Sequence, residues 1–186
     1  NTTTVANGVH ALKVSARDAA GNIGLQTISV TVDNVVTPPP ANNLIANPSL
    51  ETANGAGTLP VSWQSSKWGT NTTTFTYPVA GQDGAKAAKV AMTAWTNGDA
   101  KWYFNDVPVT SGTQYTFRNY YTSSVPTELI VRYTTGAGAV SYAFLAAVPA
   151  SATWQTATAT FTPPAGTASA TVFHVLAKVG NLTVDN

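Results

Sequence analysis

Residues 91–104 read AMTAWTNGDAKWYF, a sharp turn signal set among two tryptophans, a tyrosine and a phenylalanine. Asn97-Gly98-Asp99 is typical of a turn, because Asn and Gly adopt left-handed backbone conformations at little cost. Short candidate strands lie before and after it, at 86–93 and 101–109. The four rings either fill the core between two β-sheets or form an exposed platform on which a flat ligand stacks.

The same alternation of short apolar segments and turn clusters continues along residues 43–186 and predicts an all-β fold. No stretch there keeps a 3.6-residue apolar period over three turns, so we expect no long helix. Many short strands at this spacing are typical of a β-sandwich, most simply a jelly roll. The further candidate strands are 72–77, 113–121, 127–134, 139–145, 153–161, 168–176 and 181–185.

The composition argues against several function classes. The formal net charge is +1, and nine Lys and Arg residues are spread along 186 residues, so no basic stripe is available for a nucleic acid. No run of about 18 apolar residues is present, so we expect no membrane span. The absence of cysteine excludes disulfides and thiolate metal sites. The sequence does not begin with Met and shows no signal peptide, so we expect a piece of a longer polypeptide.

A domain boundary is predicted around Pro38-Pro39-Pro40, since consecutive prolines favour an extended, semi-rigid spacer. Residues 1–42 contain no aromatic residue, and all six Phe, five Trp and seven Tyr residues follow them. This change in composition predicts a first unit at 1–34, a Pro-rich linker at 35–42 and a second unit at 43–186.

The first unit contains two period-two segments, 9–16 and 25–33, on either side of the turn-rich DAAGN stretch at 18–22. With its NGVHAL and DAAGN motifs it resembles the C-terminal strands of a bacterial immunoglobulin-like domain, which implies a partial immunoglobulin-like β-sandwich. A full sandwich of this type takes roughly 100 residues, and a lone hairpin is marginal in water. We therefore expect a neighbouring chain, a missing flank or the second unit to complete these strands.

The second unit carries short motifs in a fixed order: NLIANPSLE (43–51), LPVSW (59–63), GQDGAKAAKV (81–90), VPVTSGTQYTF (107–117), WQTATATFTPPAGT (154–167) and VGNLTVDN (179–186). Together they resemble carbohydrate-binding modules of the family 4/9/22 type, which are β-jelly rolls of the galactose-binding-like superfold. The resemblance covers nearly all of 43–186. It implies a sugar-binding site on one sheet and a structural calcium ion far from that site.

Aromatic side chains are the main candidates for sugar contacts, because flat rings stack on the apolar faces of pyranoses. Trp95 precedes the turn, Trp68 stands in a polar loop, and strand alternation sends Tyr120 away from the core. Trp102 begins the strand after the turn, and whether it points inward or outward stays open. His174 falls where the resembling modules carry a ring residue on a late strand, with an ordinary sheet histidine as the alternative. The predicted carbohydrate-binding residues are Trp68, Trp95, Trp102, Arg118, Tyr120 and His174.

Other side chains have a structural or an undecided role. Arg118 either hydrogen-bonds sugar hydroxyls or solubilises an outer face. Large rings that follow turns, or that lie two apart on one strand, are expected to pack between the sheets. These expected core residues are Trp63, Tyr115, Phe117 and Trp154.

The resemblance also implies a Ca²⁺ site where the first strand, an early loop and the last strand meet. The matching positions are Glu51 of NPSLE, Asp83 of GQDGAK and Asp185 of LTVDN, with the backbone carbonyls of Ser49 and Lys86 as further ligands. Carboxylate and carbonyl oxygens are the ligands that Ca²⁺ prefers. In the alternative, each acid caps a turn separately.

Two function classes remain open. We expect no catalytic residues, because glycoside hydrolysis needs two placed carboxylates and neither a paired-acid motif nor a nucleophile motif is recognisable. The favoured hypothesis is a non-catalytic polysaccharide-binding module of a secreted or cell-surface multidomain bacterial protein. The alternative is a structural or adhesive domain of a cell-surface protein or extracellular fibre, with the same fold and no sugar site.

Overall fold

The computed structural model describes residue 5, residues 8–32 and residues 43–186. The chain divides into two compact units, Asn1–Pro39 and Pro40–Asn186. Every regular element in the described ranges is a β-strand, so the all-β prediction is confirmed. Within these ranges no helix is long and apolar enough to cross a membrane. The predicted linker at 35–42 lies outside the described residues.

In the first unit, β1 (Gly8–Arg17) and β2 (Ile23–Val32) pair as an antiparallel hairpin, as predicted. Asp18 holds the turn, because its carboxylate accepts two hydrogen bonds of 2.9 Å from the backbone and side-chain amides four residues later. These bonds lower the pKa of Asp18. Leu12 pairs with Ile28 on one face of the hairpin, and both side chains are exposed. The completion of an immunoglobulin-like sandwich by other strands stays a prediction.

The second unit consists of eleven strands. Ten of them overlap the nine predicted segments, because the segment expected at 101–109 is divided between β6 and β7; β3 was not predicted. The strands are β3 (Trp63–Trp68), β4 (Asn71–Val79), β5 (Ala87–Trp95), β6 (Asp99–Phe104), β7 (Val107–Pro108), β8 (Tyr115–Ser123), β9 (Thr127–Thr135), β10 (Val140–Val148), β11 (Ser151–Phe161), β12 (Thr167–Val175) and β13 (Gly180–Asp185).

Two antiparallel sheets pack against each other. One has the strand order β11-β8-β13-β5-β4, and the other has the order β10-β9-β12-β7. The β3–β6 pair extends the second sheet, since Ala100 of β6 and Leu176 after β12 exchange two backbone hydrogen bonds of 2.9 Å. This two-layer arrangement is the predicted jelly-roll sandwich.

The core between the sheets is built by alternate side chains of each strand and by a group of aromatic rings. Trp63 packs edge-to-face on Phe104 with ring centroids 5.9 Å apart, and Phe104 stacks on Phe117 at 6.2 Å. Trp63 and Phe117 are therefore core residues, as expected. Tyr115 and Trp154 are half-buried and do not belong to the buried core cluster.

The turn in AMTAWTNGDAKWYF carries the chain from one sheet to the other. β5 ends at Trp95 in the five-stranded sheet, and β6 begins at Asp99 in the opposite layer. Gly98 has a φ of 85°, and a Cβ atom on it would lie 2.0 Å from the carbonyl oxygen of Trp68. Glycine is required there because the backbone after β3 and the backbone before β6 are in direct contact.

Candidate functional site

The outer surface of the β10-β9-β12-β6-β3 layer carries three of the four exposed aromatic side chains of the second unit. These are Trp68, Tyr142 and Phe144, which are 62%, 60% and 62% exposed. Strand side chains alternate between the two faces of a sheet, and the inward neighbours Trp102 on β6, Val131 on β9 and Val172 on β12 are buried. We call this surface the aromatic face. Its members are Gln64, Trp68, Asp99, Lys101, Tyr103, Ile130, Arg132, Tyr142, Phe144 and Phe173.

Phe173 is the centre of the aromatic face. It is 5% exposed, yet it lies outside the main core cluster. Tyr103 meets it edge-to-face with centroids 4.9 Å apart, and Tyr142 lies at 6.3 Å. The ammonium of Lys101 is 4.9 Å and the guanidinium carbon of Arg132 is 5.4 Å from its ring centroid. Both distances are within cation–π range, so the two cations hold the ring in place.

Two carboxylates neutralise these two cations. Asp99 accepts a hydrogen bond of 2.5 Å from Lys101 Nζ through one oxygen and a hydrogen bond of 2.5 Å from Trp68 Nε1 through the other. Asp106 accepts a hydrogen bond from Arg132 Nη2 and another, of 2.9 Å, from a threonine hydroxyl of β9. The charges at the centre of the aromatic face are therefore balanced within the face.

Hydrogen-bonding groups lie between the exposed rings. The Tyr103 hydroxyl donates to Gln64 Oε1 at 3.1 Å, and Gln64 Nε2 donates to Asn105 Oδ1 at 2.6 Å. Arg132 Nε is buried and has no hydrogen-bond partner among the described residues. A ring platform with fixed donors and acceptors suits a ligand that has apolar ring faces and peripheral hydroxyls.

The aromatic face is an open surface that crosses five strands. Neighbouring strands are about 4.8 Å apart, so β3 and β10 are separated by about 19 Å. A depression of about 430 Å³ lies elsewhere, near the β10–β11 connection, with Tyr121, Val148 and Gln155 in its wall. Among the described residues, no charged side chain lines that depression. The concentration of exposed rings and paired charges makes the open face, and not the depression, the candidate site.

The structure does not bring the six predicted sugar-binding residues together. Trp68 lies on the aromatic face. Trp95 is exposed at the end of β5, where its Nε1 donates to the carbonyl of Gly98 at 2.8 Å. Arg118 and Tyr120 lie on the outer surface of the opposite sheet, with the guanidinium carbon 5.6 Å from the tyrosine ring centroid. These last two residues are on the far side of the sandwich from Trp68.

The interpretation of Trp102 as an exposed sugar-binding ring was wrong. Trp102 is 3% exposed, its ring packs edge-to-face on Phe75 at 5.8 Å, and its Nε1 donates to the carbonyl of Lys89 at 3.0 Å. Trp102 fills the core because it packs against the facing sheet, and the alternation along β6 then sends Tyr103 outward. The question that the sequence left open is therefore answered with Trp102 inside and Tyr103 outside.

His174 was also placed wrongly on the sugar face. It is fully buried, with Nδ1 3.1 Å from Asn119 Nδ2 and Nε2 2.7 Å from Thr127 Oγ1. Tyr121 packs edge-on against its ring at 5.1 Å. Burial lowers the pKa of His174 from 6.5 to about 3, so the ring is neutral. It is an interior histidine with both nitrogens hydrogen-bonded, which is the alternative that the sequence left open.

Nine of the ten members of the aromatic face were missed from the sequence. The register between β9, β10 and β12 and that between β3 and β6 bring their distant segments together. A pair of rings two residues apart also occurs in the core-facing YTF of β8, so the spacing in YAF of β10 carries no distinguishing signal. The missed residues include four aromatic rings and one arginine, which are Tyr103, Tyr142, Phe144, Phe173 and Arg132.

Two of the predicted calcium ligands, Glu51 and Asp185, each bond to the backbone of the loop before β5. Glu51 Oε1 accepts hydrogen bonds of 2.8 and 2.6 Å from the backbone N–H groups of Ala85 and Lys86. Asp185 Oδ2 accepts bonds of 2.7 and 2.8 Å from the backbone N–H groups at 82–83. Ser49 is half-buried on the segment that leads into Glu51. These bonds alone match the alternative in which each acid caps the loop backbone separately.

Asp185 has one oxygen that this alternative does not explain. The residue is fully buried, and its Oδ1 has no hydrogen-bond partner among the described residues. Burial, together with the nearby Asp83 carboxylate, raises the pKa of Asp185 to about 6. A Cβ atom on Gly81 would lie 2.6 Å from the Lys86 carbonyl oxygen and 3.0 Å from Asp185 Oδ2, so these two oxygens border the same space.

The donor set at this loop fits a cation held in part by backbone oxygens. In the part of the chain that the structure describes, no three acidic or histidine side chains converge as a metal site made of side chains alone would require. Ca²⁺ accepts carbonyl oxygens and water beside carboxylates. Asp185 has an unpartnered buried Oδ1, and its Oδ2 lies near the Lys86 carbonyl; a carboxylate and a backbone carbonyl in this arrangement are compatible with that mixed coordination.

Comparison with known proteins identifies the fold. No protein-family profile and no curated protein matches the chain. A solved family 4 carbohydrate-binding module is 18% identical, with a TM-score of 0.53 over 76% of this chain and 95% of that one. The jelly roll is that of carbohydrate-binding modules. The family 22 xylan-binding module from Paenibacillus barcinonensis is 16% identical, with a TM-score of 0.51 over 74% of this chain and 87% of that one.

The carbohydrate-binding-module fold also matches part of a larger protein. The enzymatically active domain of tailspike protein 4 from bacteriophage CBA120 is 17% identical, with a TM-score of 0.58. The match covers 77% of this chain, and this chain spans only 20% of the tailspike domain. At these identities the similarity establishes the fold, and the candidate site rests on the geometry of this chain.

Proposed function

We propose that residues 43–186 are a non-catalytic carbohydrate-binding module that holds a polysaccharide chain across the aromatic face. The observation that supports this most is the placement of Trp68, Tyr142 and Phe144 on one sheet surface, with hydrogen-bonding groups between them. An open surface about 19 Å across accepts a long chain more readily than a single small molecule. The xylan-binding family 22 module with the same fold provides a polymer of the expected kind for the first tests.

The acids of the aromatic face support binding rather than hydrolysis. Glycoside cleavage requires one carboxyl group that donates a proton and a second that acts as base or nucleophile. Asp99 and Asp106 are instead each bonded to a cation on the same face. Because each carboxylate is bonded to its own cation, the two do not form the pair of acid and base or nucleophile that hydrolysis requires.

We also propose a location for the protein. A polysaccharide is met outside the cell, so we place the module in a secreted or cell-surface multidomain bacterial protein. The hairpin of β1 and β2 supports this arrangement, since its sequence resembles the end of an immunoglobulin-like domain and such a hairpin is marginal alone. In the rival hypothesis of a structural or adhesive domain, the same jelly roll binds no sugar.

Titration with soluble polysaccharides, including xylan, tests the proposal through tryptophan fluorescence and calorimetry. We expect Trp68→Ala and Tyr142→Ala to abolish most of the binding while leaving the thermal midpoint nearly unchanged. Tyr120→Ala, which removes a ring from the opposite sheet, is the matched control and should bind like the parent. Binding that survives both face variants and is lost in the control would move the site to the opposite sheet. No response to any glycan would favour the structural hypothesis.

We further propose that the loop before β5 holds a structural Ca²⁺ ion. Asp185 and the carbonyl of Lys86 would be its nearest ligands, with Glu51, Asp83 and the carbonyl of Ser49 completing the shell. The unpartnered Oδ1 of buried Asp185 supports this assignment. The ion would supply positive charge where acidic side chains meet, and it would tie the last strand to the early loop.

At pH 7, Asp185→Asn should change the melting temperature in opposite directions depending on whether the parent protein binds calcium. Without a cation, the ionised buried carboxylate is costly, so the neutral amide should raise the melting temperature. With a cation, the amide removes a ligand and should lower it, and a chelator should lower that of the parent as well. Melting curves recorded with EDTA and with added CaCl₂ separate the two cases. An increase for Asp185→Asn together with no chelator effect would exclude the site.

A further inference from the structure

We infer that Asp99 is a positioning residue of the aromatic face: its two carboxylate oxygens fix the plane of the Trp68 indole and the head group of Lys101. This inference rests on the proposed function, because it concerns how the stacking surface is held in shape before a sugar arrives. It assigns to a buried acid a role in recognition that involves no contact with the sugar itself.

Trp68 combines high exposure with a fixed N–H group. Its side chain is 62% exposed, yet Nε1 donates at 2.5 Å to the carboxylate of Asp99, a buried residue. An exposed indole without such a bond samples several rotamers, and ordering it on binding costs free energy. A hydrogen bond to a carboxylate is charge-assisted and therefore stronger than one to a neutral acceptor. The bond leaves the flat faces of the indole available for stacking. The polar N–H group on its edge already has its hydrogen-bond partner.

The backbone holds Asp99 in the required place. Trp68 and Asp99 are directly paired across the β3–β6 ladder. Gly98, immediately before Asp99, lies against the carbonyl of Trp68 so closely that any side chain would collide with it. The backbone that carries the Asp99 carboxylate is therefore fixed in position. The Trp68 indole is held both through the backbone of Trp68 and through its own N–H group.

The second oxygen of Asp99 holds a residue at the centre of the aromatic face. It accepts a hydrogen bond from Lys101 Nζ, and that ammonium lies 4.9 Å above the ring of Phe173. Lys101 is buried, and a buried ammonium without a partner is strongly unfavourable. The contacts from Trp68 through Asp99 and Lys101 to Phe173 cross three strands. Loss of Asp99 is expected to loosen both the edge and the centre of the aromatic face.

Asp99→Asn in a Trp95→Phe background tests the inference on the full chain. Among the four tryptophans that remain, only Trp68 is exposed, so its motion dominates the fast component of time-resolved fluorescence anisotropy. We expect that fast component to grow. We also expect the affinity for xylohexaose to fall by about tenfold, as for the loss of one charge-assisted hydrogen bond. Asp18→Asn, the same charge change in the turn of the first unit, is the control and should alter neither value.

A double-mutant cycle distinguishes positioning from a general loss of structure. If Asp99 acts through Trp68, Asp99→Asn should weaken binding much less in a Trp68→Ala background than in the parent. Should Asp99→Asn alone fail to fold, adding Lys101→Met removes the unpaired ammonium and allows the same measurements. Unchanged anisotropy, or an equal loss of affinity in both backgrounds, would overturn the inference. If the parent binds neither xylohexaose nor any soluble polysaccharide, the proposed function fails, and the anisotropy still decides whether Asp99 orders Trp68.

Discussion

The buried imidazole of His174 should make the second unit sensitive to acid, and His174→Gln should remove that sensitivity. The pKa of His174 is about 3 in the folded protein, against 6.5 as the ordinary value. Between these values the unfolded chain binds a proton that the folded chain does not, so the free energy of unfolding falls as the pH falls. The slope is about 1.4 kcal/mol per pH unit. From about pH 6.5 to about pH 4.5 the expected loss is about 2 to 3 kcal/mol, a substantial part of a typical domain's stability.

Urea unfolding of the parent and of His174→Gln between about pH 4.5 and pH 7.5, followed by tryptophan fluorescence, measures this effect. All five tryptophans lie in the second unit, so the signal reports on that unit. The raised pKa of Asp185 acts in the opposite sense, since a carboxyl group with a folded pKa near 6 gains stability as the pH falls from about 6 to about 4. Asp185 is present in both proteins, so its contribution cancels in the difference between their free energies of unfolding. A difference that stays constant over this range would refute the assignment of His174 as a neutral interior residue.

Two further predictions test the packing that positions the aromatic face. Trp102→Ala should lower the free energy of unfolding by about 3 to 5 kcal/mol, the usual cost of removing a core tryptophan. Trp68→Ala should lower it by less than about 1 kcal/mol. Equal losses in urea titrations would contradict the assignment of Trp102 to the core and Trp68 to the surface. Gly98→Ala should lower the melting temperature by several degrees, because the added methyl group would lie 2.0 Å from a carbonyl oxygen at a residue with a φ of 85°. Gly136→Ala is its matched control, since an added Cβ there meets nothing within 4 Å. Similar melting temperatures for the two variants would show that the backbone at Gly98 is not in close contact with that at Trp68.

The strand pattern could be predicted because it depends on neighbours in the chain. Period-two alternation and turn residues located β8, β9, β10, β11, β12 and β13 closely, and the all-β jelly roll followed from their number and spacing. β3 was missed because its interior, QSSK, lacks the apolar residues that mark a strand. It forms nonetheless, since each of its residues pairs with β6 and backbone hydrogen bonding does not depend on the side chain.

The candidate site could be predicted only in part. Trp68 was identified because an indole in a polar segment is conspicuous at the sequence level. For Trp102 and Tyr103, alternation states that the two rings point to opposite sides and gives no preference between them. Packing against Phe75 in the facing sheet decided that Trp102 is the inner one. His174 shows the same limitation, because its neutral, buried state depends on partners more than 40 residues away in the chain.

By itself, the sequence determined the strand content, the position of the turns and the absence of a basic or cysteine-based site. These properties arise from interactions over a few residues, which propensity and periodicity report directly. Only the tertiary structure decided which rings share a surface and which acids hold them there. Phe173, Tyr103 and Tyr142 come from three separate strands, and both tyrosines reach Phe173 because hydrogen-bond register aligns these strands in one layer, with β9 between β10 and β12. Register depends on the packing of the whole sandwich, since a slip by one residue would exchange its inner and outer faces.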